Sequence, residues 1–294
     1  MDNIIKSQID KYNNKFTIKE IEKKIIENKQ TSLKIDIKKG KIKMYQFTSE
    51  IKKNRKNALE NFLKEVAKKF PKINTTIFCN INDWSCPLES HLPVFVMSGN
   101  VNNRNLIIPD YLFLRDYSKR QGRNNDILPM DEIIKNYYKK EWIEKKDKCL
   151  FRAGTSKNKV IINMFKNSND VDADWSKNSF LSYKQMFNFK FIISHYMRWD
   201  SIYMFLKSKN VVFLYKGFNQ YLWYDLFLKN GENYLEFNNE KELYDKLDYC
   251  RKNEEFCINL IKNTNNICEK YFNMEFAVKY VGNLILSYQK DIIS

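Results

Sequence analysis

From Cys149 to Phe237 short apolar runs alternate with helical patterns, joined by connections of only a few residues. The runs are Cys149 to Arg152, Phe189 to Ser194, Val211 to Tyr215 and Asn233 to Phe237. Helical patterns lie between them at Lys157 to Phe165, Tyr183 to Phe187, Ser201 to Ser208 and Tyr221 to Leu228, and helices continue to the C-terminus. Strands that alternate with helices in this way build a parallel, doubly wound sheet. Ligands of such sheets bind beyond the carboxyl ends of the strands, so the polar residues that follow each strand matter most.

The first half has a different texture. Helical spacing up to about Gln30 precedes an alternating segment, Thr31 to Tyr45, that turns at Gly40 and reads as a β-hairpin. A long amphipathic helix, Ser49 to Phe70, stops ahead of Pro71. Strands at Thr75 to Ile81, Pro93 to Ser98 and Leu106 to Ile108 follow. The polar loop Ser118 to Pro129, with Arg120, Gly122 and Arg123, reads as part of the link between the halves, and a helix over Met130 to Trp142 leads into the second. The expected division is residues 1–125 and 126–272, with 273–294 as a C-terminal helix that packs back on the first domain.

A hydrophobic content of 43% over 294 residues supports sizeable cores. The net charge of +16 suits a polyanionic partner: nucleic acid, an anionic membrane surface or a phosphorylated ligand. The charge is mostly lysine, spread along the chain, without the dense Arg/Lys stripe and exposed aromatics of a nucleic-acid module, so no nucleic-acid partner is expected. Six cysteines, Cys79, Cys86, Cys149, Cys250, Cys257 and Cys268, show neither zinc-ligand nor redox spacing, and reduced, mostly buried thiols are expected. No signal peptide or membrane span is read, and a cytoplasmic protein is expected.

Four stretches could carry chemistry. In Cys149 to Lys159 a strand ends in Arg152, Ala153 and Gly154 permit close backbone approach, and Thr155 and Ser156 open a helix whose N–H groups favour an anion, with Lys157 and Lys159 nearby. An ordinary helix cap is the competing account of Thr155 and Ser156. The Walker and Rossmann glycine patterns are absent, which argues against a P-loop or a nicotinamide site. Between Phe189 and Phe213, His195, Tyr196, Arg198, Trp199, Asp200 and Ser201 lie between a strand and a helix, where a doubly wound sheet places a nucleotide; helix capping by Asp200 or Ser201 and core packing by Trp199 are the alternatives.

Asn167 to Trp175 reads as an acidic loop with Asp170, Asp172 and Asp174 at Asp-x-Asp spacing, able in principle to hold a divalent metal. His91 and His195 are the only histidines and give no metal spacing. Finally, Phe78 to Pro87 leaves a strand and delivers Asp83 and Trp84, either a turn cap or a catalytic carboxylate beside an aromatic.

Taken in order, these pieces resemble the Rumi-type family, the capsule-associated and protein O-glucosyl/O-xylosyltransferases that include lipopolysaccharide-modifying enzymes. The family's Asn-hydrophobic-x-Asp-aromatic-Pro stretch is matched by Asn80, Asp83, Trp84 and Pro87, and its Pro-Val-Phe-x-x-Ser strand by Pro93 to Ser98. Its Pro-containing segment resembles Ile108 to Tyr111. Its Trp-x-x-Lys and Arg-Gly-x-Thr-Ser motifs are echoed by Trp142 to Lys145 and Phe151 to Ser156, with Ala153 in place of glycine. Phe189 to Ile193 with Trp199 to Ser201, then Asn210 to Val212, Tyr221 to Asp225 and Tyr234 continue the series, with Tyr221 where the family has Glu.

The resemblance implies an α/β protein of GT-B architecture, two Rossmann-like domains facing across a cleft. The implied reaction is inverting transfer of glucose, xylose or a related sugar from a UDP-sugar to a hydroxyl of a glycan, lipid-linked sugar or protein, without a cofactor or an essential metal. Asp83 would be the general base. Arg152, Gly154, Thr155, Ser156, Lys159, Arg198, Trp199, Asp200, Ser201 and Tyr224 would bind the nucleotide sugar, and Trp84 and Ser98 would pack against acceptor or sugar. The alternatives are a metal-dependent transferase using the Asp-x-Asp carboxylates and a non-catalytic basic protein that binds nucleic acid or glycan.

Overall fold

The computed structural model describes residues 1–28, 32–47, 53–81, 92–100, 105–111, 113–114, 140–152, 159–174, 181–195, 199–217 and 220–294. The chain forms two compact α/β units, Met1–Arg123 with Asn219–Phe227 and Tyr271–Ser294, and Asn124–Phe218 with Leu228–Lys270.

The first unit opens with two helices, α1 (Asp2–Ile9) and α2 (Ile18–Glu27). Thr17 caps α2 with a capping box: its hydroxyl accepts from the Glu20 N–H while the Glu20 carboxylate accepts from the Thr17 N–H. Strands β1 (Leu33–Lys38) and β2 (Lys41–Gln46) then form the expected hairpin. Both turn residues take positive φ, 48° at Lys39 and 73° at Gly40, as a two-residue turn matched to strand twist requires, and glycine supplies that conformation without a Cβ penalty.

Helix α3 (Lys53–Lys69) buries Ala58, Leu59, Phe62, Leu63 and Val66 at helical spacing. Strands β3 (Asn74–Asn80), β4 (Phe95–Val96) and β6 (Leu106–Ile107) complete a sheet of order β2-β1-β3-β4-β6, in which β3, β4 and β6 are mutually parallel. The predicted strand Pro93 to Ser98 is shortened. Only Phe95–Val96 joins the main sheet, and β5 (Gly99–Asn100) turns away to pair antiparallel with β11 (Gln220–Tyr221).

Aromatic packing returns the later segments to this unit. Trp223, fully buried in the single 3-10 turn Trp223–Leu226 where the sequence suggested a helix, stacks within 5.0–6.3 Å of Phe113, Tyr224, Phe227, Phe272 and Tyr280. The C-terminal helix (Met274–Ser287) lies against α3, where a Cβ on Gly282 would stand 2.3 Å from the Phe70 ring, so close approach there needs glycine. The Tyr280 hydroxyl donates to the Ile107 carbonyl at 2.7 Å and meets the buried Gln8 amide, whose oxygen accepts from the Ile107 N–H.

The second unit is built on β7 (Lys146–Arg152), β8 (Val171–Asp174), β9 (Phe189–His195), β10 (Val211–Tyr215) and β12 (Leu235–Phe237), in the order β12-β10-β9-β7-β8 with every pairing parallel. Numbered within the unit and read from the β8 edge, this is 2-1-3-4-5, a doubly wound order whose switch point lies between β7 and β9. One face carries a core of Phe151, Phe191, Phe213 and Phe237 packed against helices α4 (Lys159–Phe165), α7 (Glu240–Lys252) and α8 (Glu254–Tyr271). Two shorter helices, α5 (Tyr183–Met186) and α6 (Trp199–Lys207), flank β9.

Strand β8 corrects the reading of Asn167 to Trp175 as a loop. Val171 and Ala173 alternate with Asp172 and Asp174, and this period of two places the apolar pair on the core and both carboxylates on the opposite face. The five cysteines among the described residues, Cys79, Cys149, Cys250, Cys257 and Cys268, are buried and form no disulfide. Cys86 lies outside the described residues. The helix read over Met130 to Trp142 also lies almost wholly outside them, apart from a 3-10 turn at Trp142–Glu144.

Candidate functional site

The carboxyl edge of the second unit's sheet collects the polar groups expected of a ligand seat. Arg152, the last residue of β7, is 11% exposed. Its Nη1 donates to the carbonyls of Phe151 (3.0 Å) and Asp172 (2.6 Å), and its Nη2 donates to Asp172 Oδ1 at 2.7 Å. The guanidinium is thus held against β8 by the carboxylate and the carbonyl of Asp172, with the Phe151 carbonyl of β7 as a further acceptor. Charge-assisted bonds of this kind are stronger than neutral ones and fix orientation as well.

The register Leu150↔Asp172 and Arg152↔Asp174 puts Arg152 on the face that carries the β8 carboxylates, away from the phenylalanine core. The neighbouring pairing Leu150↔Ile192 places Ser194 on the same face, one alternation further along β9. Ser194 is 2% exposed, and among the described residues its hydroxyl has no hydrogen-bond partner. Arg152, Asp172 and Ser194 therefore share one face at the carboxyl edge of β8, β7 and β9, and sequence reasoning singled out only the first two. The signal for Ser194 was positional: it is a polar residue ending an otherwise apolar run.

The acidic residues of Asn167 to Trp175 have separate fates. Asp170 accepts from Arg251 Nη2 at 2.8 Å, and the same guanidinium reaches Asp147 through Nε at 3.1 Å. Asp172 is engaged by Arg152. Two of the three carboxylates of the Asp-x-Asp pattern are therefore committed to guanidinium groups. Among the described residues no cluster of three or more His, Cys, Asp or Glu side chains has metal-binding geometry.

Lys145, the lysine of the Trp-x-x-Lys echo, sits at the other end of this sheet. It is buried, and its ammonium donates to the Lys209 carbonyl at 2.7 Å. Burial lowers its pKa to about 7, against a smaller opposing pull from Glu141. At the amino ends of β7 and β10 it anchors the fold, far along the strands from the switch point.

The first unit has its own carboxyl edge. Arg55 of α3 is buried, donates through Nη1 to the Ile81 carbonyl at 3.0 Å, and lies over the Tyr111 ring at 5.5 Å. That bond pins the chain just past β3, two residues before Asp83. Ser98 is 1% exposed with a hydroxyl that has no hydrogen-bond partner, and Asp110 accepts from the Phe113 N–H.

The predicted site residues are distributed as follows. Arg152 lies at the end of β7, and Lys159 is the exposed first residue of α4. Trp199, Asp200 and Ser201 form the first turn of α6. Ser98 and Tyr224 belong to the first unit. Tyr224 is buried there, edge-on to Phe272 at 4.9 Å, rather than in the second half where the sequence placed it. Asp83, Trp84, Gly154, Thr155, Ser156 and Arg198 lie outside the described residues, as do Tyr196 and His91.

The fold and the two strand edges define an α/β protein of two sheet-centred units, the second a parallel doubly wound sheet whose carboxyl edge carries the Arg152–Asp172 ion pair. No protein-family model matches the chain. No curated protein sequence matches it either.

Solved structures that it resembles are glycosyltransferases. One is the C-terminal domain of a glycosyl transferase group 1 family protein, LpcC, from Francisella tularensis, at 13% identity over 47% of this chain and 96% of that one, with a TM-score of 0.33. Another is Anabaena Alr3699/HepE in complex with UDP and glucose, at 11% identity over 47% of this chain and 40% of that one, with a TM-score of 0.33. A third is a glycosyltransferase from Rickettsia africae ESF-5, at 12% identity over 68% of this chain and 64% of that one, with a TM-score of 0.38. Likenesses of this size carry no argument about activity or substrate. No helix among the described residues is long and apolar enough to cross a membrane.

Proposed function

We propose that the protein is a GT-B glycosyltransferase that moves glucose, xylose or a related sugar from a UDP-sugar to an acceptor hydroxyl with inversion and without an essential metal. The observation that carries this is the switch point of the second unit: Arg152, held by Asp172 at the end of β7, lies where doubly wound sheets receive nucleotides. The motif series from Asn80 to Tyr234 supports the reading independently.

The reaction is one displacement. Asp83 takes the proton of the acceptor hydroxyl while its oxygen attacks the anomeric carbon. The bond from that carbon to the β-phosphate oxygen breaks, and UDP leaves with the electron pair. The negative charge that develops on the diphosphate needs fixed donors. Arg152 is one, and Thr155, Ser156, Lys159 and Arg198 are assigned to the same task. Gly154 gives the backbone room to approach the diphosphate, Trp199, Asp200 and Ser201 open α6 beside it, and Trp84 packs near acceptor or sugar, whereas Tyr224 is taken up by the aromatic core of the first unit. On the first unit Arg55 holds the β3 exit from which Asp83 follows, and Ser98 faces the acceptor or sugar. The acceptor is a glycan, lipid-linked sugar or protein hydroxyl, and the excess of lysine suits contact with an anionic membrane surface, consistent with work in the cytoplasm. The pairing of Asp170 with Arg251 and of Asp172 with Arg152 supports the metal-free form of the reaction over the Asp-x-Asp alternative.

Thermal denaturation with a panel of UDP-sugars, with and without chelator, tests the proposal. At a ligand concentration of about 100 Kd, binding adds ~2.7 kcal/mol, a rise in Tm of roughly 4–5 °C for a protein of this size. That rise is expected in chelator as well as without it. A rise that disappears in chelator would transfer the assignment to the metal-dependent class, and no rise with any UDP-sugar would sink it.

A further inference from the structure

We infer that Ser194 is a ligand-contacting hydroxyl of the second unit, donating to a phosphate oxygen of the bound nucleoside diphosphate; this rests on the donor site proposed above. Ser194 stands apart from the other buried hydroxyls of its unit. The Ser208 hydroxyl donates to the Phe205 carbonyl at 2.6 Å, and Thr264 Oγ1 donates to the Leu260 carbonyl at 2.7 Å, each following the local rule that short hydroxyl side chains bond the preceding helical turn. A strand offers no such carbonyl, and Ser194 Oγ is left buried without a partner among the described residues. Buried polar groups are paired in the great majority of cases, and an orphaned one costs free energy that folding alone gives no reason to keep.

Position supplies the reason. Ser194 is the next-to-last residue of β9, paired with Leu214 of β10 on one side and following Ile192, the partner of Leu150, on the other. Alternation puts it on the face of Arg152, beside the switch point and away from Phe191 and Ile193 in the core. A serine hydroxyl both donates and accepts. On a sheet face and edge that also carry Arg152, the complementary ligand group is an anionic oxygen.

Ser194→Ala separates ligand contact from structure because the two roles move opposite quantities. As a ligand contact, the variant should bind UDP about tenfold more weakly by calorimetry, the scale of one charge-assisted bond, with uridine affinity unchanged. Its Tm without ligand should be equal to or above that of the wild type, since an orphaned hydroxyl has been removed. Ser194→Cys, which is slightly larger and donates only weakly, should lose UDP affinity in the same direction. Wild-type UDP affinity in Ser194→Ala alongside weakened binding in Arg152→Ala overturns the role of Ser194 alone. A lowered Tm with unchanged UDP affinity overturns it also, as a packing residue. Failure of the wild-type protein to bind UDP overturns this inference together with the donor site it rests on.

Discussion

Replacing Asp172 with Asn keeps the shape of the side chain at the β8 edge and deletes its charge. Asp172 is 39% exposed and Arg152 11%, so the pair lies between two limits. An exposed ion pair contributes about 0–1 kcal/mol, whereas stripping one partner from a buried pair costs about 3–5 kcal/mol. Stability should therefore fall by roughly 1–2 kcal/mol. The effect on UDP arises differently. The bonds to the Phe151 and Asp172 carbonyls survive the substitution, and the Nη2 anchor is weakened. Ordering a long arginine side chain costs up to ~2 kcal/mol, so partial release should weaken UDP binding by ~1 kcal/mol, about fivefold.

Calorimetry at fixed ionic strength on wild type, Asp172→Asn, Arg152→Ala and the double variant reads this directly. If Asp172 works by holding Arg152, its substitution has no further effect in the Arg152→Ala background. Tighter UDP binding by Asp172→Asn would refute the reasoning, because it would mean that the carboxylate competes with the ligand for the guanidinium. An equal loss in both backgrounds would refute it too, since Asp172 would then act without Arg152.

Asp83→Asn should lower the transfer rate by about 10²–10⁴-fold while UDP affinity stays within about twofold of wild type, as expected for loss of proton abstraction; near-normal transfer would remove Asp83 from the mechanism. Lys145, with its pKa lowered by burial to about 7, sheds its proton in the folded state while the unfolded side chain keeps its own up to about 10.5. Folding stability should therefore rise as pH increases from about 7 toward 10, and Lys145→Met should be more stable at neutral pH and lack that rise in denaturant titrations. Trp223→Ala should cost about 3–5 kcal/mol, because a fully buried indole is removed from the ring cluster that joins Asn219–Phe227 to the C-terminal helices. A loss below ~1 kcal/mol in chemical denaturation would show that the cluster does not hold those segments.

Much of the second unit was legible because its strands are continuous apolar runs bounded by helical periodicity. Val211–Tyr215 is buried at every residue, as a central strand between parallel neighbours must be. The Lys39-Gly40 turn was equally plain, since only a two-residue turn with positive φ closes that hairpin. The edge strand Val171–Asp174 escaped notice because it has only two apolar residues, spaced among three aspartates, and composition outweighed period. Tyr221 to Leu228 misled for the opposite reason: its hydrophobic spacing suits a helix, but rings that fit the Phe272 and Tyr280 cluster drew it into the first unit.

The sequence by itself determined the strand–helix alternation, the placement of Arg152 at a strand end and the order of motifs from Asn80 to Tyr234, because these depend on local periodicity and spacing. Tertiary structure alone decided which carboxylate holds Arg152, which strands border the switch point, and that the Ser194 hydroxyl has no partner among the described residues. Those facts depend on which residues lie side by side across strands, and parallel strands bring together positions such as Asp172 and Arg152, or Leu150 and Ile192, that are 20 to 42 residues apart in the chain.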